Sequence, residues 1–170
     1  MDAKEHLQRE SLRDLKRLSV IIEHLSPQVE EKGLTRAHLC QLVRHGLREA
    51  GINILPKEEI YSNFPYLYVN VNVMKTNVGL NVFATQVVLK QRMILPREPF
   101  LEMYAATWEI AGVGTVGTNN LTAIAESICQ LIHQFSHDYL MMNPGTYFGA
   151  VSSITAPHIQ APGVPKQSVQ

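Results

Sequence analysis

The run Tyr66-Leu67-Tyr68-Val69-Asn70-Val71-Asn72-Val73 carries the most regular alternation in the chain. Leu67, Val69, Val71 and Val73 fall on one side of an extended backbone and Tyr66, Tyr68, Asn70 and Asn72 on the other, which predicts a half-buried strand. A second alternating run sets Tyr104, Ala106, Trp108 and Ile110 against Ala105, Thr107, Glu109 and Ala111. That pattern suits an antiparallel strand with one wet face, not a parallel strand covered on both sides. Gly79 marks the turn into a long strand from Leu80 to Leu95, whose alternation slips near Val87-Val88-Leu89 and so predicts a bulge or a change of facing partner. Two shorter strands come earlier. Leu18 to Leu25 is β-branched and stops at Ser26-Pro27, and Ile52 to Leu55 forms the second.

Two stretches have helical spacing instead. Leu39, Leu42, Val43, Leu47 and Ala50 make one stripe, with Thr35 as its cap, Leu34 and Leu39 as a hydrophobic staple, and Gly51 as a left-handed terminator. Leu121, Ile124, Ala125, Ile128, Leu131, Ile132, Phe135 and Tyr139 make the second, over about residues 121–142. The order βαββββα predicts an α+β fold, an antiparallel-rich sheet of about five strands with both amphipathic helices on one face. Residues 1–15 read as a polar helical lead-in with little to bury, 16–143 as one domain, and 144–170 as a flexible tail punctuated by Pro157, Pro162 and Pro165.

Charge narrows the function classes. Lys plus Arg and Asp plus Glu are equal at 15 each, so no net field draws nucleic acid or an anionic membrane. No apolar run approaches the roughly 18 residues of a membrane span. The amino terminus is charged to Arg17 and lacks the apolar stretch of a secretory signal, which leaves a cytoplasmic chain or one whose signal peptide was removed before this numbering.

Four constellations could carry chemistry. Gly112-Val113-Gly114-Thr115-Val116-Gly117 spells the dinucleotide-binding G-x-G-x-x-G. That fingerprint needs a parallel strand before it, a helix opening inside it, and an acid on a second strand roughly 20 residues on. Here the preceding strand alternates, the helix starts only near Asn120, and no second strand follows, so the motif reads as a glycine-rich connection. Its alternative role is an anion loop, with backbone amides at Gly112, Gly114 and Gly117. His133 and His137 have metal-chelating spacing, but Gln134 stands where a zinc protease would place its glutamate, and no third ligand is visible. No metal or other cofactor is expected. Cys40 and Cys129 each flank a buried stripe and could meet only if their α-carbons come within about 7 Å; two separate small core residues are the alternative. Arg44 and Arg48, one helical turn apart near His45, could hold a phosphate or a carboxylate, or simply face water.

The polar side of the first alternating strand is the most informative surface. Tyr66, Tyr68, Asn70 and Asn72, joined by Trp108 if register allows, offer contact area and adaptable hydrogen bonds suited to recognition. The alternative is a sheet face that is merely wet.

Several segments also carry a resemblance. Gly33-Leu34-Thr35, Leu47-Arg48-Glu49-Ala50-Gly51-Ile52, Leu67 to Asn72, Ala106-Thr107-Trp108, the Gly112–Gly117 stretch and the helix end from Phe135 to Asn143 occur in that order. Over residues 10–144 the chain resembles a family of small uncharacterised bacterial proteins, usually made with a signal peptide and placed in the cell envelope. Its architecture is also similar to small α+β modules at the front of some periplasmic assembly proteins. The resemblance implies a periplasmic or envelope setting and supplies no catalytic residues. The expected role is a non-catalytic protein-binding or assembly module that meets a protein partner or a second copy, through the sheet face or a free edge such as Leu80–Leu95. The competing expectation is a small-ligand or anion-binding protein with its site at Gly112–Gly117.

Overall fold

The structure, a computed structural model, describes residues 2–56 and 64–145. The predicted tail from 146 onward lies outside the described residues. In chain order the elements are α1 (Ala3–Glu10), β1 (Arg17–Ile22), α2 (Pro27–Glu30), α3 (Arg36–Glu49), β2 (Asn53–Ile54), β3 (Tyr66–Lys75), β4 (Leu80–Ile94), β5 (Glu102–Gly117), a short 3-10 turn (Leu121–Ala123) and α4 (Ile124–Met142).

Local chemistry sets the boundaries. Thr35 caps α3 by accepting the His38 N–H at 3.2 Å, and Leu34 and Leu39 on either side are both fully buried. Gly51 ends the helix at φ 74°, a left-handed backbone that a side chain would strain. Gly79 does the same for the β3–β4 turn at φ 77°, where Thr76 both accepts and donates across the turn to Leu80.

The strands order as β2-β1-β3-β4-β5 in one sheet. β3, β4 and β5 are antiparallel neighbours, whereas β1 runs parallel to both β2 and β3. The α+β class holds, but the sheet is mixed, which corrects the antiparallel-rich expectation. The reason lies in the connection: α3 carries the chain from β1 back to β2, and a helical crossover returns the next strand in parallel. β1 also bears the mark of a strand covered on both sides. Ser19 is buried as fully as Leu18, and Val20 and Ile22 are buried with it. A second correction concerns β4. It lies between β3 and β5, so its backbone is paired on both sides and offers no free edge.

α3 packs over β1 and β2, α4 over β4 and β5, and the two helices pack against each other. Their stripes, with Val43, Leu47, Ile124, Ile128 and Phe135 at the centre, meet Leu67, Val69, Val87 and Leu89 from the sheet in one core. Gly46 permits the close approach of the helices, since a β-carbon there would sit 3.0 Å from the Ile132 methyl.

The amino-terminal segment is part of this core, contrary to the expectation that it buries little. α1 itself buries no side chain, but Leu12 and Leu15 just after it are buried. Asn143 ties this segment to the end of α4. Its amide donates to the Leu12 and Tyr139 carbonyls at 2.8 and 2.9 Å, and its oxygen accepts the Asp14 N–H at 2.9 Å. That last bond accompanies the positive φ of 58° at Asp14, a non-glycine residue in the left-handed region.

Candidate functional site

The registers of β3, β4 and β5 decide which side chains share the sheet face away from the helices. Tyr66, Lys90 and Ala106 form one cross-strand row, Asn70, Gln86 and Ala111 a second, Asn72, Ala84 and Val113 a third, and Met74, Val82 and Thr115 a fourth. Tyr68 pairs with Val88 on the same face. The alternate residues point into the core, so the hydrophobic side of β3 lies inward as its pattern predicts.

In β5 the pattern is broken. Leu89 lies opposite Trp108 but Lys90 lies opposite Ala106, so Thr107 is the extra residue of a bulge. One inserted residue reverses the facing of everything beyond it. Tyr104 and Ala106 therefore share the open face, while Trp108 and Ile110 turn inward. The bulge is held by the amino-terminal segment and by β4. Ser11 donates its hydroxyl to the Thr107 carbonyl at 3.2 Å, and Gln91 donates to the Ser11 carbonyl and the Thr107 hydroxyl at 2.8 and 3.0 Å.

This removes Trp108 from the expected recognition surface. The indole is 2% exposed, packs edge-on against Phe135 with centroids 4.9 Å apart, and donates its N–H to Asp138 at 3.0 Å. Asp138, itself 5% exposed, also takes an ion pair from Arg9 at 3.0 Å and a hydrogen bond from Gln134 at 3.1 Å. A buried carboxylate needs such partners to remain in place. Tryptophan, carboxylate and guanidinium together pin α1 to α4 and β5. No sequence pattern linked Arg9 to Asp138, because their contact spans most of the chain.

On the open face, one half is aromatic and cationic. The Tyr66 and Tyr104 rings are 5.3 Å apart and tilted by 50°. Lys90 holds its ammonium 5.1 Å from the Tyr68 ring centre and 5.9 Å from that of Tyr66, within cation–π range. The Tyr68 hydroxyl donates to the Glu23 carboxylate. That bond stabilises the protonated phenol and, with burial and the charge of Glu23 behind it, pushes the Tyr68 pKa up to about 12. Asn72 donates to Asn70 at 3.2 Å, leaving both amides on the surface. The other half is apolar: Met74 is 66% exposed and Val113 83%, with Leu80 and Val82 exposed nearby. Sequence reading found Tyr66, Tyr68, Asn70 and Asn72 but missed Lys90, Tyr104, Met74, Val82 and Val113. Met74 continues β3 beyond its regular run, while the other four come from β4 and β5, and only the registers align them with it.

Gly112, Gly114 and Gly117 are not in a loop. They belong to β5, where they pair with Thr85, Phe83 and Leu80 of β4. Both readings of the segment as a connection or an anion loop are thereby corrected, since successive amides of a strand point in opposite directions and cannot converge on one anion. Two glycines answer to packing. A β-carbon at Gly114 would stand 2.6 Å from the Phe83 ring, and one at Gly112 3.2 Å from the Thr85 hydroxyl and 3.4 Å from that of Ser127. The Phe83 ring lies over the bare backbone of its cross-strand neighbour.

The remaining candidates lie on the helical side. His133 and His137 line an open groove of about 580 Å³ between α3 and α4, together with His45, Cys129, Ile132 and Leu140. Among the described residues no three His, Cys, Asp or Glu side chains are grouped to hold a metal. Cys40 and Cys129 are both free. Burial, with the Glu126 charge second, pushes the Cys129 thiol up, away from its nucleophilic form. Arg44 lines a separate groove beside β1, with His24, Glu30, Arg36 and Cys40.

No protein-family model matches the chain, and no curated protein does. Among solved structures, the rare lipoprotein B from Shewanella oneidensis is similar at 14% identity and a TM-score of 0.29, over 79% of this chain and 98% of that one. A minor lipoprotein from Acinetobacter baumannii is similar at 10% identity and a TM-score of 0.30, over 81% of this chain and 95% of the other. Likenesses this distant pass neither a fold nor a role to the chain.

Proposed function

We propose that this chain is a non-catalytic protein-binding or assembly module of the bacterial envelope, and that it meets its partner with the open face of β3, β4 and β5. One observation carries the reading: Met74, Leu80, Val82 and Val113 are exposed on the same sheet face as Tyr66, Tyr68, Tyr104 and Lys90. A helix-covered sheet leaves its second face polar when that face only meets water. Apolar and aromatic side chains grouped there, ringed by asparagines, have the composition of a protein contact. The envelope setting is supported by the family resemblance over residues 10–144. Tyr66, Tyr68, Asn70 and Asn72 supply the polar contacts of this surface, and Trp108 supports it from the core.

The test is a photo-crosslinking amino acid placed at Asn72, with His45 on the helical side as control, in cells that make the protein natively. The expected result is one recurrent protein adduct from position 72 that is absent from position 45 and lost in a Met74→Asp/Val82→Asp double variant. Equal labelling from both positions, or an adduct that the double variant keeps, would end the proposal.

A further inference from the structure

The two borders of the sheet differ. At one side the last strand, β2, is two residues long, and so short an edge offers little to pair with. At the other, β5 is sixteen residues long and has no strand on its outer side among the described residues. Part of that edge is closed. Ser11 occupies the Thr107 carbonyl, and Lys4 of α1 reaches Glu109 at 3.1 Å. Beyond this clasp, residues 110–116 read Ile-Ala-Gly-Val-Gly-Thr-Val, with no charge and no proline. Natural edges are blunted by lysines, prolines, bulges or a covering element. Among the described residues this stretch has none of them.

We infer that two copies of this chain join through the β5 edge at residues 110–116, running antiparallel about a twofold axis perpendicular to the sheet. The chemistry recognised is a row of main-chain donors and acceptors at strand spacing, and the same row on a second copy matches it. Such an axis keeps open face beside open face, so opposite residues must share facing. An axis at Val113 does this. It sets Val113 against itself, Ala111 against Thr115, Gly112 against Gly114 and Ile110 against Val116, and none of these pairs joins like charges. One step further out, Glu109 lies opposite Gly117 of the second copy. The next residue there, Thr118, holds the Lys32 ammonium on its carbonyl at 3.3 Å, so unlike charges flank the paired stretch. Val113 is 83% exposed and gains a β-branched cross-strand neighbour at the axis. The glycines at 112 and 114 keep the edge free of side chains on the helical side. The product is one sheet running through both copies.

The experiment is sedimentation velocity on the full chain over a concentration series, with Val113→Lys and Val113→Glu beside the native protein. The expected result is a native dimer. Each variant should raise the dissociation constant by about tenfold or more, because it sets two like charges against each other at the axis. At concentrations low enough for the native chain to be monomeric, all three should melt at the same temperature, since the side chain is exposed in the monomer. An equimolar mixture of the two variants should recover dimer. A native chain that stays monomeric to about 100 μM, below the affinity expected of a specific interface, would overturn the inference. So would a dimer that both variants leave intact, or variants that dissociate and do not recover on mixing. Val113 also borders the open face, so the two readings are separated by the readout: sedimentation of the purified chain tests the edge, and crosslinking from Asn72 with Val113 native tests the face.

Discussion

Replacing Gly114 by alanine separates a packing glycine from a ligand-binding one. The added β-carbon would lie 2.6 Å from Cζ and 2.9 Å from Cε1 of Phe83, where carbon atoms in contact normally keep about 3.5–4.0 Å. The ring must therefore move by roughly 1 Å. Phe83 is only partly buried at the core margin, so the ring yields before the β4 backbone does. Overpacking of this kind costs about 1–3 kcal/mol, and the lower entropy of the unfolded alanine chain returns about 0.4–1 kcal/mol. The net expectation is a loss of about 1–2 kcal/mol, or a melting temperature lower by about 3–6 °C for a chain of this size. Gly117 is the internal control. Nothing lies within 4 Å of a β-carbon there, so Gly117→Ala should be neutral or slightly stabilising. The assay is denaturant unfolding followed by fluorescence of Trp108, the single tryptophan and a buried one. Repeating Gly114→Ala in a Phe83→Ala background completes a double-mutant cycle, in which the penalty should vanish. If Gly114→Ala is as stable as the native protein, or loses as much without the Phe83 ring, the packing account of this glycine is wrong.

Other expectations follow from the same geometry. Asp138→Ala should cost about 3 kcal/mol by leaving the buried Trp108 N–H without its acceptor and removing the Arg9 ion pair, while Asp138→Asn, which keeps an oxygen at the indole, should cost less; chemical denaturation ranks the two. Asn143→Ala removes two bonds to the amino-terminal segment and one to the Tyr139 carbonyl, and should cost about 1–3 kcal/mol, with amide exchange rising around Leu12 to Leu15 before the sheet opens. Ultraviolet titration should find a late-ionising tyrosine near pH 12 that is absent in Tyr68→Phe and moved back toward 10 in Glu23→Ala. Because the folded pKa is raised, the Tyr68–Glu23 bond contributes its full stability below pH 10 and loses it as pH climbs from about 10 to 12. An unchanged tyrosine titration in Glu23→Ala would contradict that.

Patterns of local period set much of this protein. The alternation of Tyr66 to Val73 fixed which side of β3 is buried, and the stripes on α3 and α4, with Thr35 and Gly51 at the ends of the first, fixed two helices and their inward faces. Each depends on residues a few positions apart, which neighbouring side chains and backbone can enforce alone. The antiparallel setting of residues 104–111 was legible for the same reason. Pairing across long separations decided the rest. The bulge at Thr107 is invisible in β5 alone, because both facings of Tyr104 to Ile110 alternate equally well, and contacts from Ser11 and Gln91 accompany the one that forms. That single residue sent Trp108 into the core toward Asp138 and Tyr104 out toward Tyr66. In the same way, G-x-G-x-x-G became a strand because Phe83 and Thr85 lie across from its glycines. Sequence determined which faces are apolar; tertiary pairing determined which residues share them, since strand register is set by partners distant along the chain.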